Sequence, residues 1–174
     1  MPSPSPWVAR FAALISGGGP VLDLACGNGR HTRLLRQRGH PVIAVDRDVS
    51  GVADLDGVEA IEADLEDGAP WPLAGRQFAG VVVTNYLHRP LFPAIVAAVE
   101  PDGVLIYETF MAGNGRFGKP SNPDFLLREN ELFDAVGELT AIAFEQGLDE
   151  RVSGTGGPAM RQRICAIRGA PVLA

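Results

Sequence analysis

The sequence predicts an α/β fold: a doubly wound, mostly parallel seven-stranded sheet, with an antiparallel edge hairpin and helices on both faces. Three observations carry this. Short apolar runs, typical of strands buried on both faces, alternate with helix-like stretches along most of the chain. The first run breaks at Gly27-Asn28-Gly29 and passes into a helical pattern, the strand–turn–helix order of a nucleotide-binding unit. The last two runs are joined only by a Gly/Ser/Thr-rich stretch, as in a hairpin.

Residues 2–6 alternate proline with serine and read as a mobile start to a single domain spanning 1–174. Trp7, Phe11, Leu14 and Ile15 fall at helical spacing, and Gly17-Gly18-Gly19-Pro20 stops that helix. Trp7 reads as its core packing; covering a ligand mouth is the alternative. Residues 21–25 form the first strand. Asp23 lies inside it, and a lone buried carboxylate is costly, so Asp23 needs a partner or a ligand.

Residues 30–38 read as a helix ended by Gly39. Its Arg30, Arg33 and Arg36 mark a solvated face, or alternatively a nucleic-acid stripe. The second strand, 41–46, ends in Asp46, seventeen positions after Gly29. That is near the spacing at which a carboxylate reaches a ribose diol in doubly wound folds. A third strand, 58–65, ends at Asp64, which also suits a turn cap at 64–67. Residues 68–75 read as a surface loop.

The fourth strand, 78–86, delivers Asn85, Tyr86, His88 and Arg89 to its carboxyl end, where ligands bind in open α/β sheets. A helix over 90–99 and a turn at 101–103 follow. The fifth strand, 104–110, ends in Tyr107, Glu108 and Phe110. Residues 111–123 are rich in Gly, Asn and Pro, and a loop this long inside a compact domain is usually functional. It reads as a lid, with Phe117 as its apolar contact. Residues 124–135 resume a helical pattern. Strands at 139–144 and 163–168, with 147–158 between them, complete the sheet.

The stretch Asp23-Leu24-Ala25-Cys26-Gly27-Asn28-Gly29 resembles motif I of the class I S-adenosylmethionine-dependent methyltransferases, an acid followed by G-x-G-x-G, with Ala25 in place of the first glycine. A dinucleotide-binding turn is the competing reading, but its third glycine position holds the β-branched Thr32. An acid common in the family at the start of the fourth strand is replaced by Gly80. Within the superfamily the chain looks most like small tellurite-resistance (TehB-like) methyltransferases, on DLACGNGR at 23–30, FLLRENEL at 125–132 and its compact length.

The resemblance implies a Rossmann-like methyltransferase fold, S-adenosylmethionine as cofactor and a small-molecule methyl acceptor such as a thiol, an oxyanion or a small acid. It assigns Asp23, Ala25, Cys26, Gly27 and Gly29 to the cofactor, together with Asp46, Arg47, Asp64, Leu65 and Asn85. His88, Tyr86 and Glu108 become the candidate catalytic groups, and Arg89, Tyr107 and Phe117 the acceptor contacts. For Glu108 an ion pair with Arg89 or Arg116 is the bland alternative; for His88, a hydrogen-bonded loop residue. Methylation of tRNA or protein, and a non-catalytic cofactor-binding module, are the other readings.

The totals agree. A chain of 174 residues that is 46% hydrophobic and 21% charged can bury a core. A net charge of −6 argues against a nucleic-acid surface. Cys26 and Cys165 are too few and too far apart for a disulfide framework or a zinc site, and no metal is expected. No signal-peptide core or bilayer-length apolar run is present, so a cytoplasmic, membrane-free protein is expected.

Overall fold

The computed structural model describes residues 3–150 and 157–170. Its sheet has seven strands in the order β3-β2-β1-β4-β5-β7-β6. They are β1 (Val21–Leu24), β2 (Val42–Asp46), β3 (Val58–Glu62), β4 (Phe78–Thr84), β5 (Val99–Phe110), β6 (Thr140–Asp149) and β7 (Ala159–Ile167). The first five are parallel, and β7 pairs antiparallel with both β5 and β6. The expected doubly wound sheet and antiparallel edge are therefore both present.

The apolar runs are continuous because alternate residues feed two cores. Leu22, Leu24, Val81, Val83 and Leu105 pack on one face with Ile95 and Val96 of α3 (Phe92–Ala97) and Leu132 of α4 (Glu131–Ala135). Val21, Val82, Val104 and Ile106 pack on the other face. They meet Trp7, Val8 and Phe11 of α1 (Pro6–Phe11) and Leu35 of α2 (Arg30–Gln37). Trp7 is a core residue: its indole Nε1 donates to the Ile164 carbonyl at 3.2 Å. Gly80 stands where the family pattern has an acid because any Cβ there would lie 2.6 Å from Ile15 Cδ1.

Several boundaries move. Ser5, placed by its sequence in a mobile start, is fully buried and caps α1 through its hydroxyl. Met1 and Pro2 lie outside the described residues. The helix expected over 124–135 is only α4, preceded by a 3-10 turn at Pro123–Phe125. Between them Leu127 enters the core and bridges to Met111, which holds the chain extended. The strand at 104–110 instead begins at Val99 and passes through Asp102, whose φ is 61°. β6 runs on to Asp149, so the hairpin loop is shorter than 147–158, and its residues 151–156 lie outside the described set.

Two of the three α2 arginines, Arg33 and Arg36, are braces rather than members of an open stripe. Arg33 donates to the carbonyls of Asn28, Gly29 and Gly51, and Arg36 to those of Asp56 and His40. Helical spacing cannot separate a solvated cation from one that closes turns on neighbouring segments.

Candidate functional site

The site begins at the turn after β1. Ala25, Gly27 and Gly29 all take left-handed backbone conformations, with φ of 54°, 52° and 73°. Glycine does this freely; Ala25 does it at a cost of roughly 1–2 kcal/mol. At Gly29 a Cβ would also strike Val52 Cγ1 at 2.1 Å. The turn is fixed from the neighbouring strand: Asp46 Oδ2 accepts the Gly27 amide at 2.8 Å, and Oδ1 accepts that of Asp48 at 3.2 Å. A carboxylate has about four lone-pair sites, so Asp46 keeps acceptor capacity beyond these two bonds.

Asp23 has the partner its burial demands. Thr32 Oγ1 donates to it at 2.6 Å, joining β1 to α2. Thr32 thus stands where a dinucleotide motif needs glycine because its hydroxyl, itself fully buried, satisfies that acid. Burial pushes the Asp23 carboxyl up to about 6 even so. Beside it, His31 Nε2 accepts the Ser5 amide at 3.1 Å, which places the ring proton on Nδ1, facing Thr84 Oγ1 at 3.3 Å. Burial pushes this imidazole down to about 3.

These two groups pull stability in opposite directions with pH. The neutral His31 ring contributes stability that is present above about 6.5 and is lost as pH falls toward 3. Protonated Asp23 contributes stability that is present below 3.8 and is lost as pH rises through about 6. Between pH 4 and 6 they offset each other. Asp23→Asn should therefore make the thermal midpoint fall more steeply on acidification from pH 6 to 4 than it does in the unsubstituted protein. Parallel midpoint–pH curves for the two proteins would contradict the pairing.

Over the turn lies an open cavity of about 470 Å³, within the range of small-ligand sites. It sits at the carboxyl ends of β1 to β4. Seven expected site residues line it: Ala25, Asp46, Arg47, Asp64, Leu65, Asn85 and Tyr86. Cys26, Gly27 and Gly29 belong to the turn and Asp23 to β1, and none of the four borders the cavity itself. Cys26 is buried, which pushes its thiol up to about 12 and leaves it inert. Asp64 also caps its own turn by accepting the Glu66 amide at 2.9 Å while it lines the cavity.

Sequence reasoning missed Ala63, Glu66 and Phe125 in the cavity wall. Ala63 and Glu66 flank two residues that were expected and were within reach of a strand-tip argument. Phe125 was placed in a helix, and no local signal brings it here. Among the described residues, Tyr86 Oη is the fully enclosed side-chain polar atom with no hydrogen-bond partner. Burial, then the facing Glu66 carboxylate, raises its pKa, so it stays a protonated donor at neutral pH.

The expected acceptor cluster is not brought together. Tyr107 is fully buried in the core, and its hydroxyl donates to the Tyr86 carbonyl at 2.9 Å. Glu108 is 1% exposed and pairs with Arg163 at 3.1 Å, rather than with Arg89 or Arg116. Arg89 turns away to Glu131, at 2.5 Å. Phe117 lines a separate cavity with Phe110 and Asn114. His88 makes no side-chain hydrogen bond among the described residues and does not border the main cavity. The loop 111–123 is braced, with Asn114 bridging the Pro120 carbonyl and the Met160 amide.

Arg161 is a further polar residue the sequence gave no reason to single out. It is 5% exposed and stacks over the Phe110 ring at 4.2 Å. It donates to Asn85 Oδ1 at 2.7 Å, which leaves the Asn85 amide nitrogen free to face the cavity as a donor.

Residues 22–106 match the family model described as a methyltransferase domain. The chain is 33% identical over 92 residues to trans-aconitate 2-methyltransferase of Acidovorax sp. (strain JS42), an alignment covering 49% of this chain and 36% of that protein. The chain thus spans about a third of the length of the curated relatives it matches. TehB from Haemophilus influenzae superposes with a TM-score of 0.72 at 19% identity, covering 92% of this chain and 61% of that one. The Burkholderia thailandensis 1,6-didemethyltoxoflavin-N1-methyltransferase, solved with bound 1,6-didemethyltoxoflavin and S-adenosylhomocysteine, superposes with a TM-score of 0.67 at 20% identity, covering 93% of this chain and 76% of that one. At these identities the structural likeness is one of fold. Among the described residues no helix is long and apolar enough to cross a membrane.

Proposed function

We propose that this protein transfers a methyl group from S-adenosylmethionine to a small-molecule acceptor, a reading supported by the match of residues 22–106 to a methyltransferase-domain model and by the likeness of its fold to solved methyltransferases. The observation that carries the reading is the cavity itself. It joins a left-handed glycine turn to a strand-end carboxylate with spare acceptor capacity and to an enclosed phenol without a partner. The diol of a nucleoside would use the spare acceptor capacity of that carboxylate.

In this reading Asp46 takes the ribose hydroxyls, the turn at 25–29 lies under the amino-acid portion, and the tip of β3 meets the base. S-adenosylmethionine supplies an activated methyl on a sulfonium. The protein's task is to hold the acceptor in line with that methyl, which can supply up to about 7–11 kcal/mol. Tyr86, held protonated, positions as a donor rather than acting as a base. Glu108, committed to Arg163, is removed from proton transfer. His88, with no side-chain bond of its own, is the group to test where an acceptor needs deprotonation.

A small acceptor is favoured over tRNA because two of the three α2 arginines, Arg33 and Arg36, are occupied by backbone carbonyls. An open cavity favours an enzyme over a non-catalytic module. The trans-aconitate relative puts small carboxylic acids among the acceptors to try, beside thiols and metalloid oxyanions. Two buried, unpaired cysteines suit a reducing, cytoplasmic setting. The test is calorimetry with S-adenosylhomocysteine, followed by labelled S-adenosylmethionine with a panel of thiols, oxyanions, small acids and tRNA. Binding of the homocysteine product and transfer to a small acceptor are expected. Tighter binding of NADH than of S-adenosylhomocysteine would overturn the reading.

A further inference from the structure

We propose that Phe125 is an aromatic platform for the adenine ring and that Arg89 is the positioning residue that sets it there. The inference rests on the reading of the cavity as an S-adenosylmethionine site.

Phe125 lies on the 3-10 turn Pro123–Phe125, beyond the loop that follows β5. Its neighbours in sequence are anchored. Leu126 and Leu127 are buried, and Leu127 exchanges backbone hydrogen bonds with Phe110 and Ala112. Phe125 itself is 48% exposed, and its ring stands in the wall of the main cavity with Leu65 and Tyr86. A large apolar side chain held at a cavity mouth by a buried backbone has no packing role that explains it. It offers a ligand a flat apolar face.

Arg89 fixes the backbone on both sides of that ring. Its Nη1 donates to the Asp124 carbonyl and its Nη2 to the Leu126 carbonyl, each at 2.9 Å. Its Nε and Nη2 also meet the Glu131 carboxylate, at 2.5 and 2.9 Å. The guanidinium fork reaches two carbonyls and a carboxylate at once, which the point charge of a lysine cannot do. Arg89 does not border the main cavity and thus acts on it through Phe125.

The strand order decides which part of the ligand the ring meets. With the ribose on Asp46 at the tip of β2, the base extends outward over β3, whose following residues 63–66 form the same wall as Phe125. The reacting end lies inward, over β1. Tyr86, whose hydroxyl is enclosed beside Glu66, lines this same half of the cavity.

The experiment is calorimetry on the full chain with three probes: S-adenosylhomocysteine, 5′-methylthioadenosine, which keeps the base but lacks the amino acid, and S-ribosylhomocysteine, which lacks the base. Phe125→Ala should weaken the first two by a similar factor, roughly tenfold, as expected for loss of base stacking, and leave the third unchanged. Phe125→Tyr should restore affinity. Arg89→Ala should reproduce the loss, Arg89→Lys should not repair it, and the double variant should bind no worse than Phe125→Ala alone. Phe125 is exposed, so its variants keep the test available even if Arg89→Ala fails to fold. Affinity within twofold in Phe125→Ala, an equal loss on S-ribosylhomocysteine, or additive losses in the double variant would each overturn the proposal while leaving the cofactor reading intact. An unsubstituted protein that binds none of the three overturns both.

Discussion

Replacing Arg163 with methionine should lower stability by about 3–5 kcal/mol, the cost of leaving a buried charge without its partner. Arg163 on β7 meets Glu108 on β5, which is 1% exposed, and also pairs with Asp149 and with Glu145. Methionine keeps the stem's packing and removes the cation. In a chain of this size the midpoint should drop by roughly 10 °C in thermal unfolding. Adding Glu108→Gln to Arg163→Met should recover part of that loss, because the stranded charge is then gone. The pair of measurements also decides the role of Glu108. If Glu108→Gln alone lowered turnover with the midpoint unchanged, Glu108 would be a working base and not half of a structural pair.

The second large effect is on the ligand. Asp46→Ala should weaken S-adenosylhomocysteine binding by about 1.5–3 kcal/mol, roughly ten- to a hundredfold, the range for hydrogen bonds to a charged group. Two losses combine here. The carboxylate is the candidate acceptor for the ribose diol, and it also holds the Gly27 amide that shapes the turn. Asp46→Asn keeps one oxygen for that amide, so it should fall between the parent and Asp46→Ala. Calorimetry on folded variants reads both. Unchanged affinity in Asp46→Ala would remove the ribose assignment and leave Asp46 as a turn brace.

By itself the sequence determined the sheet and most of the cavity wall at the tips of β1 to β4. Both depend on local signals. Strands buried on both faces need continuous apolar runs, and β1, β2 and β4 show them. A backbone that turns through left-handed conformations needs glycine, and 25–29 supplies two. A strand-end acid at a fixed distance from that turn lands beside it because parallel β1 and β2 are in register, with Leu24 opposite Val45. The partners of the candidate acceptor residues were decided by tertiary structure. Strand alternation alone sends Tyr107 into the core and Glu108 to the opposite face, and the partner of Glu108, Arg163, is 55 residues away across an antiparallel pairing no local pattern announces. Arg89 and Phe125 carry no local signal for each other. They meet because Leu127 is drawn into the core beside Met111, which folds the intervening turn back over the strand tips and brings two carbonyl oxygens within reach of one guanidinium. Long polar side chains choose among partners by what the fold brings close, and sequence spacing does not encode that choice.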